Sequence, residues 1–160
     1  FATMGFGPSA AIGAKLAAPD RTVVSLVGDG GFGQNPALLA TAVEHALGIV
    51  WVVMNNNAFG TIAGLQQAHF GTTYGTTFPG DGADPDLVPD YAAIARAYGA
   101  TGIRLDSAAG FRPALAKALA RGTPVVLDVA MRNNPTPTTG HWNILDIYSP
   151  GEQVGHLATD

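Results

Sequence analysis

Hydrophobic residues along the chain fall into short unbroken runs set apart by Gly, Pro and polar clusters, and the runs alternate between β-branched and Ala-rich composition. Arg21–Val27, carrying Val23, Val24, Leu26 and Val27, reads as a buried strand, as do Ile49–Met54, Thr101–Leu105 and Pro124–Val129. Between them Ser9–Ala18, a segment from Pro36 to Leu47, Thr61–Phe70, Tyr91–Tyr98 and Gly110–Ala120 read as helices. Leu39, Val43 and Leu47 share one helical face at four-residue spacing; Asn35 is the expected N-cap, Pro36 the first helical residue and Gly48 the stop. Asp90 is the expected cap of the helix that starts at Tyr91. Gly28–Asn35 reads as a loop, and so does the Gly-, Thr-, Asp- and Pro-rich stretch up to Pro89. This alternation predicts an α/β domain, a doubly wound parallel sheet with right-handed crossovers.

We expect that domain over residues 1–130 and an aperiodic, Pro/Thr-rich tail over 131–160 that wraps over the domain or reaches a neighbour. Phe1 leads directly into a Gly-rich segment, so the chain is expected to begin inside a longer fold and to lack that fold's first strand. With 160 residues, 12 of them acidic and 8 basic, one core is expected and no basic cluster marks a nucleic-acid surface. The apolar runs are far shorter than the roughly 20 residues that cross a bilayer, so no membrane association is expected. Cysteine is absent, which excludes disulfides and thiolate metal sites, and the cytoplasm is the default compartment.

Two successive strands end in unusual polar chemistry. The first runs into Gly28-Asp29-Gly30-Gly31-Phe32-Gly33, which formally fits a dinucleotide-binding G-x-G-x-x-G loop. That reading needs an acidic ribose hook about 20 residues later, where this chain has Met54 and Asn55. It also sets the Asp29 carboxylate against a pyrophosphate, like charge against like. A divalent cation resolves the conflict, because Mg²⁺ or Ca²⁺ bridges carboxylate, amide and phosphate oxygens. Asp29 and Asn56 supply two such donors. Either residue alone is more simply a loop residue satisfying backbone groups; it is their joint placement at two strand tips that points to a site.

Gly28-Asp29-Gly30, followed 27 positions after Asp29 by the second Asn of Asn55-Asn56, resembles the motif of thiamine-diphosphate enzymes that opens with GDG and closes with NN. Thr3-Met4-Gly5-Phe6-Gly7, Ala10-Ala11-Ile12-Gly13-Ala14, Phe59-Gly60-Thr61-Ile62 and Ala95-Arg96-Ala97-Tyr98-Gly99 extend the likeness to the acetolactate-synthase-like cofactor-binding (PP) domain. The resemblance implies thiamine diphosphate with Mg²⁺ (or Ca²⁺), held by Asp29, Asn56 and the Ala58 carbonyl. It implies further cofactor contacts from Ala2, Met4, Gly28, Gly30, Gly31, Phe59, Gly60 and Thr61. Met4 would prop the bent cofactor, the Ala2 carbonyl would accept from its aminopyrimidine, and the helix after Asn35 would add its dipole to backbone N–H groups at the phosphates.

The implied activity is decarboxylation of a 2-oxo acid, with or without carboligation to a second carbonyl compound. The activating Glu would come from a pyrimidine-binding domain, in the same or another chain of a homo- or hetero-oligomer, so no catalytic side chain is assigned here and the chain alone is expected to bind cofactor weakly and turn over nothing. Thr61, Leu65, Ala37 and Leu38 depart from the acetolactate-synthase pattern, which leaves donor, acceptor and any FAD open. The alternative is a non-catalytic nucleotide-binding or degenerate structural module built on the same Gly-rich loop. His69, with Gln66 and Gln67 nearby, is a minor candidate for facing substrate; His45 reads as structural, Trp51 as core, Trp142 as a tail anchor and Asp81, Asp84 and Asp86 as a solvated loop. Nothing fixes His141 and His156.

Overall fold

The computed structural model describes residues 3–78 and 88–133. Its elements are α1 (Phe6–Ala17), β1 (Val23–Gly28), α2 (Asp29–Phe32), α3 (Leu38–Glu44), β2 (Ile49–Asn55), α4 (Gly60–Phe70), α5 (Tyr91–Ala97), β3 (Thr101–Leu105), α6 (Ala108–Ala120) and β4 (Val125–Ala130). The four strands form one parallel sheet in the order β1-β2-β4-β3. The expected doubly wound sheet is therefore present, with helices on both faces. Alternate residues of β2 divide the core: Ile49, Trp51 and Val53 pack with α1, α3 and α5, whereas Val50 and Val52 pack with α6. Trp51 is fully buried and its indole Nε1 donates to the Pro8 carbonyl at 3.1 Å, tying α1 to the sheet.

Three local expectations need correction. Residues 29–32 form a single helical turn rather than loop, despite two glycines, because Phe32 is fully buried and the Gly33 N–H closes the turn on the Asp29 carbonyl at 2.8 Å. Asn35 does not cap α3 with its side chain; its carbonyl and that of Pro36 accept the Leu38 and Leu39 N–H groups, and the helix begins two residues later than expected. Gly48 does not stop α3 either. Ala46 does, at φ 49°, with the Leu47 N–H returning to the Ala42 carbonyl at 2.9 Å. Gly48 serves a different purpose: a Cβ there would lie 2.9 Å from the Gly122 backbone. Asp90 caps α5 as expected, its side chain accepting from the Ala93 N–H at 2.7 Å.

Candidate cation and cofactor site

Parallel strands deliver their loops to one end of the sheet, and β1 and β2 are neighbours in register, with Gly28 beside Met54. Asp29 and residues 56–58 consequently meet. Asp29 is 4% exposed, and both its oxygens are held, Oδ1 by the Gly30 N–H at 2.8 Å and Oδ2 by the Ala58 N–H at 3.2 Å. Burial raises its pKa above the ordinary 3.8, against the backbone N–H groups of Gly30, Ala58, Asn57 and Asn56, which pull it down. Among the described residues no Lys, Arg or His forms an ion pair with it.

One terminal atom of the Asn56 amide lies 2.9 Å from the Ala58 carbonyl oxygen and 3.3 Å from Asp29 Oδ1. With nitrogen in that position the amide donates to both. With oxygen there, three oxygens from a carboxylate, an amide and a carbonyl converge, an arrangement that a cation stabilises. Oxygen ligands on adjacent corners of a Mg²⁺ octahedron stand about 3 Å apart, given Mg–O distances of about 2.1 Å, so the spacing suits a small hard dication. Asn57, at φ 52°, adds a buried Oδ1 that has no hydrogen-bond partner among the described residues, and it lines a cavity of about 190 Å³ with Asp29, Gly30, Gln34, Phe59 and Tyr91. A buried acceptor left without a donor is uncommon and invites an external one.

The glycines fit this geometry, though for reasons internal to the chain. A Cβ on Gly30 would sit 2.5 Å from the Phe59 ring, one on Gly31 2.8 Å from Val27 and one on Gly60 2.7 Å from the Asn56 amide nitrogen. The Gly30 N–H donates to Asp29 Oδ1 at 2.8 Å. Gly60, Thr61 and Ile62 open α4 directly after Phe59, and the first N–H groups of a helix lack intrahelical acceptors. Phe59 packs edge-on against Phe78 at 5.0 Å, while the Phe59 N–H and Phe78 N–H bond to Thr76 and Asn57 carbonyls, bracing the loop from the front.

Met4 lies over the Gly30-Gly31 turn, half exposed, with its sulfur 3.8 Å from the Gln34 amide nitrogen. Gly28 sits at the tip of β1 with open space at its Cβ position. Ala2, the Asp81–Asp86 loop, His141, Trp142 and His156 lie outside the described residues. His69 is exposed in the last turn of α4, and the nearby Gln66 is engaged within the chain: its Oε1 accepts from the Tyr74 N–H and Thr76 hydroxyl, and its Nε2 donates to the Tyr74 carbonyl. The helix after Asn35 contributes no residue to the cavity lining.

The sequence reading passed over two residues at this site. Tyr91 packs edge-on against Phe32 at 5.8 Å, and its hydroxyl pKa is pushed up to about 12 by burial and by the nearby Asp29 and Asp128 charges. Asp128, wholly buried, accepts from Asn55 Nδ2, the Tyr91 N–H and Arg104 Nη1 at 3.0–3.1 Å. Its signal was present in the sequence as an acid inside the apolar run Val125–Val129. A larger cavity of about 440 Å³ opens at the opposite ends of the strands, lined by Arg21, His45, Gly48 and Gly122 among others. It lies away from the strand tips where ligands of such sheets bind and contains no buried charge, so the smaller cavity is the better candidate.

Comparison with known proteins bears on these residues. The family described as "Thiamine pyrophosphate enzyme, C-terminal TPP binding domain" matches residues 1–129. A Bacillus subtilis protein named for containing thiamine pyrophosphate, YdaP, is 39% identical over 134 residues, 84% of this chain and 22% of that protein. The acetolactate synthase large subunit of Parasynechococcus marenigrum is 34% identical over 130 residues, 81% of this chain and 20% of that protein. Among solved structures, the thiamine diphosphate-dependent 4-hydroxybenzoylformate decarboxylase of Rhodococcus jostii RHA1 superposes with a TM-score of 0.73 at 31% identity, covering 83% of this chain and 24% of the other. The chain thus spans about a fifth of the length of the curated relatives it matches. Among the described residues no helix is long and apolar enough to cross a membrane. The sheet, the paired strand tips and the match over residues 1–129 together show that this chain belongs to the thiamine pyrophosphate enzyme family, as its C-terminal TPP-binding domain.

Proposed function

We propose that the chain binds thiamine diphosphate through Mg²⁺ (or Ca²⁺) and forms the cofactor-holding part of a cytoplasmic enzyme that decarboxylates a 2-oxo acid, with or without carboligation. The observation that carries this is the convergence of Asp29 Oδ1, the Asn56 amide and the Ala58 carbonyl within 2.9–3.3 Å around a buried carboxylate. Asp29 would supply the negative charge that attracts the dication, and the Asn56 amide and Ala58 carbonyl would add the protein's remaining oxygen ligands. The open N–H groups at the start of α4 lie beside these donors and suit the diphosphate. Met4 supplies an apolar support over the glycine turn. When bound, the cofactor provides a thiazolium ring that accepts the electron pair released as the C1–C2 bond of the 2-oxo acid breaks and carbon dioxide leaves.

No side chain of this domain is assigned proton transfer. The activating Glu belongs to a pyrimidine-binding domain that docks on the site. Exposed Met4, Phe6, Ile62, Phe70 and Tyr74 around the site and along α4 favour such a neighbour, since α4 buries only Ala63 and Gly64 itself. The alternative of a nucleotide-binding module without a metal is disfavoured by Asp29, which turns a buried carboxylate toward any phosphate. Titration calorimetry with the full chain tests the choice. Mg²⁺-dependent binding of thiamine diphosphate that disappears in Asp29→Ala supports the proposal; binding of NAD without metal, or of thiamine diphosphate equally in the variant, refutes it.

A further inference from the structure

Asn56 and Ala58 stand on a loop, and loop donors are useful only if something holds the loop. The structure shows what does so at the rear. Asn55, at the end of β2, donates from Nδ2 to Asp128 Oδ1 at 3.0 Å and accepts the Asn57 N–H on its own Oδ1 at 3.2 Å. The other Asp128 oxygen accepts the Tyr91 N–H and Arg104 Nη1, both at 3.1 Å. Tyr91 in turn packs on Phe32, in the same helical turn as Asp29. One buried carboxylate therefore reaches both segments of the candidate site, the 56–58 loop through Asn55 and the Asp29 turn through Tyr91.

The strand register makes this possible, because β3 and β4 align Arg104 with Asp128 and β2 and β4 align Asn55 with Ala130. Arg104 also bonds Asp106 at 3.0 Å. Burial opposes its charge, but those two carboxylates outweigh burial and hold the guanidinium protonated. The acceptor capacity of Asp128 is thus directed inward by a fixed cation on its outer side.

We propose that Asp128, held by Arg104, is a positioning residue that sets the spacing between Asp29 and the Asn56 and Ala58 donors. The inference rests on the cation-site reading for its functional meaning, but its structural content is testable without any ligand. In Asp128→Asn the amide retains one acceptor oxygen for three donors, so the Asn55 bond or the Tyr91 bond is lost. Amide hydrogen exchange by NMR on the full chain reads this directly. We expect the Asn57 and Ala58 N–H groups to exchange at least about tenfold faster in Asp128→Asn while amides in the middle of β2 remain unchanged. Mn²⁺-dependent binding of thiamine diphosphate should weaken by about tenfold or more in the same variant, and by less in Arg104→Lys, which keeps the charge.

Leu127→Ala is the structural control. It removes a fully buried neighbour on the opposite face of β4, so it should lower stability yet leave Mn²⁺ affinity and the two amides unaffected. Unchanged exchange at Asn57 and Ala58 in Asp128→Asn overturns the proposal, as does an equal loss of affinity in Leu127→Ala. If Asp128→Asn does not fold, Arg104→Gln, which takes the cation from Asp128 and touches neither Asn55 nor Asn57, must produce the same local exchange or the proposal fails. Absence of binding by the wild-type chain would count against the cofactor reading instead, and the exchange result would still decide the positioning role.

Discussion

At Asp29 the fold buries a carboxylate against its preference for water, and the pH behaviour of the protein should record it. Its pKa in the fold lies above the ordinary 3.8, so between those two values the native state binds more protons than the unfolded chain. Stability contributed by this group therefore falls as pH rises through that window in the absence of cation. A dication binds the ionised form and reverses the preference. Thermal unfolding with and without Mg²⁺ and thiamine diphosphate should show cation-dependent stabilisation that is full at neutral pH and fades as pH falls and Asp29 takes up its proton. Asp29→Asn should show no such dependence. Gly30→Ala is a second residue-scale test, since its Cβ would fall 2.5 Å from the Phe59 ring. We expect a loss of about 1–3 kcal/mol in urea titration, the usual cost of overpacking. Asp29 and Asn56 were legible in the sequence because each closes a strand and their joint spacing is local. Asn57 was not, since the burial of its side-chain oxygen, without a partner among the described residues, does not follow from residue type.

Elements were legible to the extent that their burial is periodic. The Val-, Ile- and Leu-rich strands and the Asp90 cap came out where pattern and capping chemistry placed them. The turn at Asp29–Phe32 was hidden because glycines argue against helix, and only tertiary burial of Phe32 reveals why the chain coils there. Arg104 opposite Asp128 was hidden because it depends on the register between strands that are distant in the chain. Two substitutions test these elements with opposite signs. Ala46 holds a left-handed conformation at φ 49°, so Ala46→Gly should stabilise the protein by about 0.5–1 kcal/mol at the end of α3. Gly102→Ala would drive a Cβ into the Ala92 carbonyl where α5 crosses β3, and should cost about 3 kcal/mol or more by the same denaturant titration.

Across the whole molecule the two faces of the sheet are unequally covered. Among the described residues α1, α2, α3 and α5 pack on one face and α6 alone on the other, with Val24 45% and Leu26 65% exposed on β1, an edge strand. Uncovered apolar edges template association with another chain. Sedimentation velocity should therefore show concentration-dependent self-association of the 160-residue chain, relieved in Leu26→Lys without loss of cofactor binding. The carboxyl ends of the strands do different work, since register and crossovers bring Asp29, Asn56 and Ala58 together there, with Asp128 behind them through Asn55 and Tyr91.

The most direct measurement is an anomalous-scattering crystal structure of the full chain with Mn²⁺ and thiamine diphosphate. We expect a metal peak about 2.2 Å from Asp29 Oδ1, the Ala58 carbonyl and the side-chain oxygen of Asn56, the typical reach of oxygen to such ions. A structure in which the Asn56 amide nitrogen still faces Asp29 and Ala58, with the metal elsewhere or absent, would contradict the account.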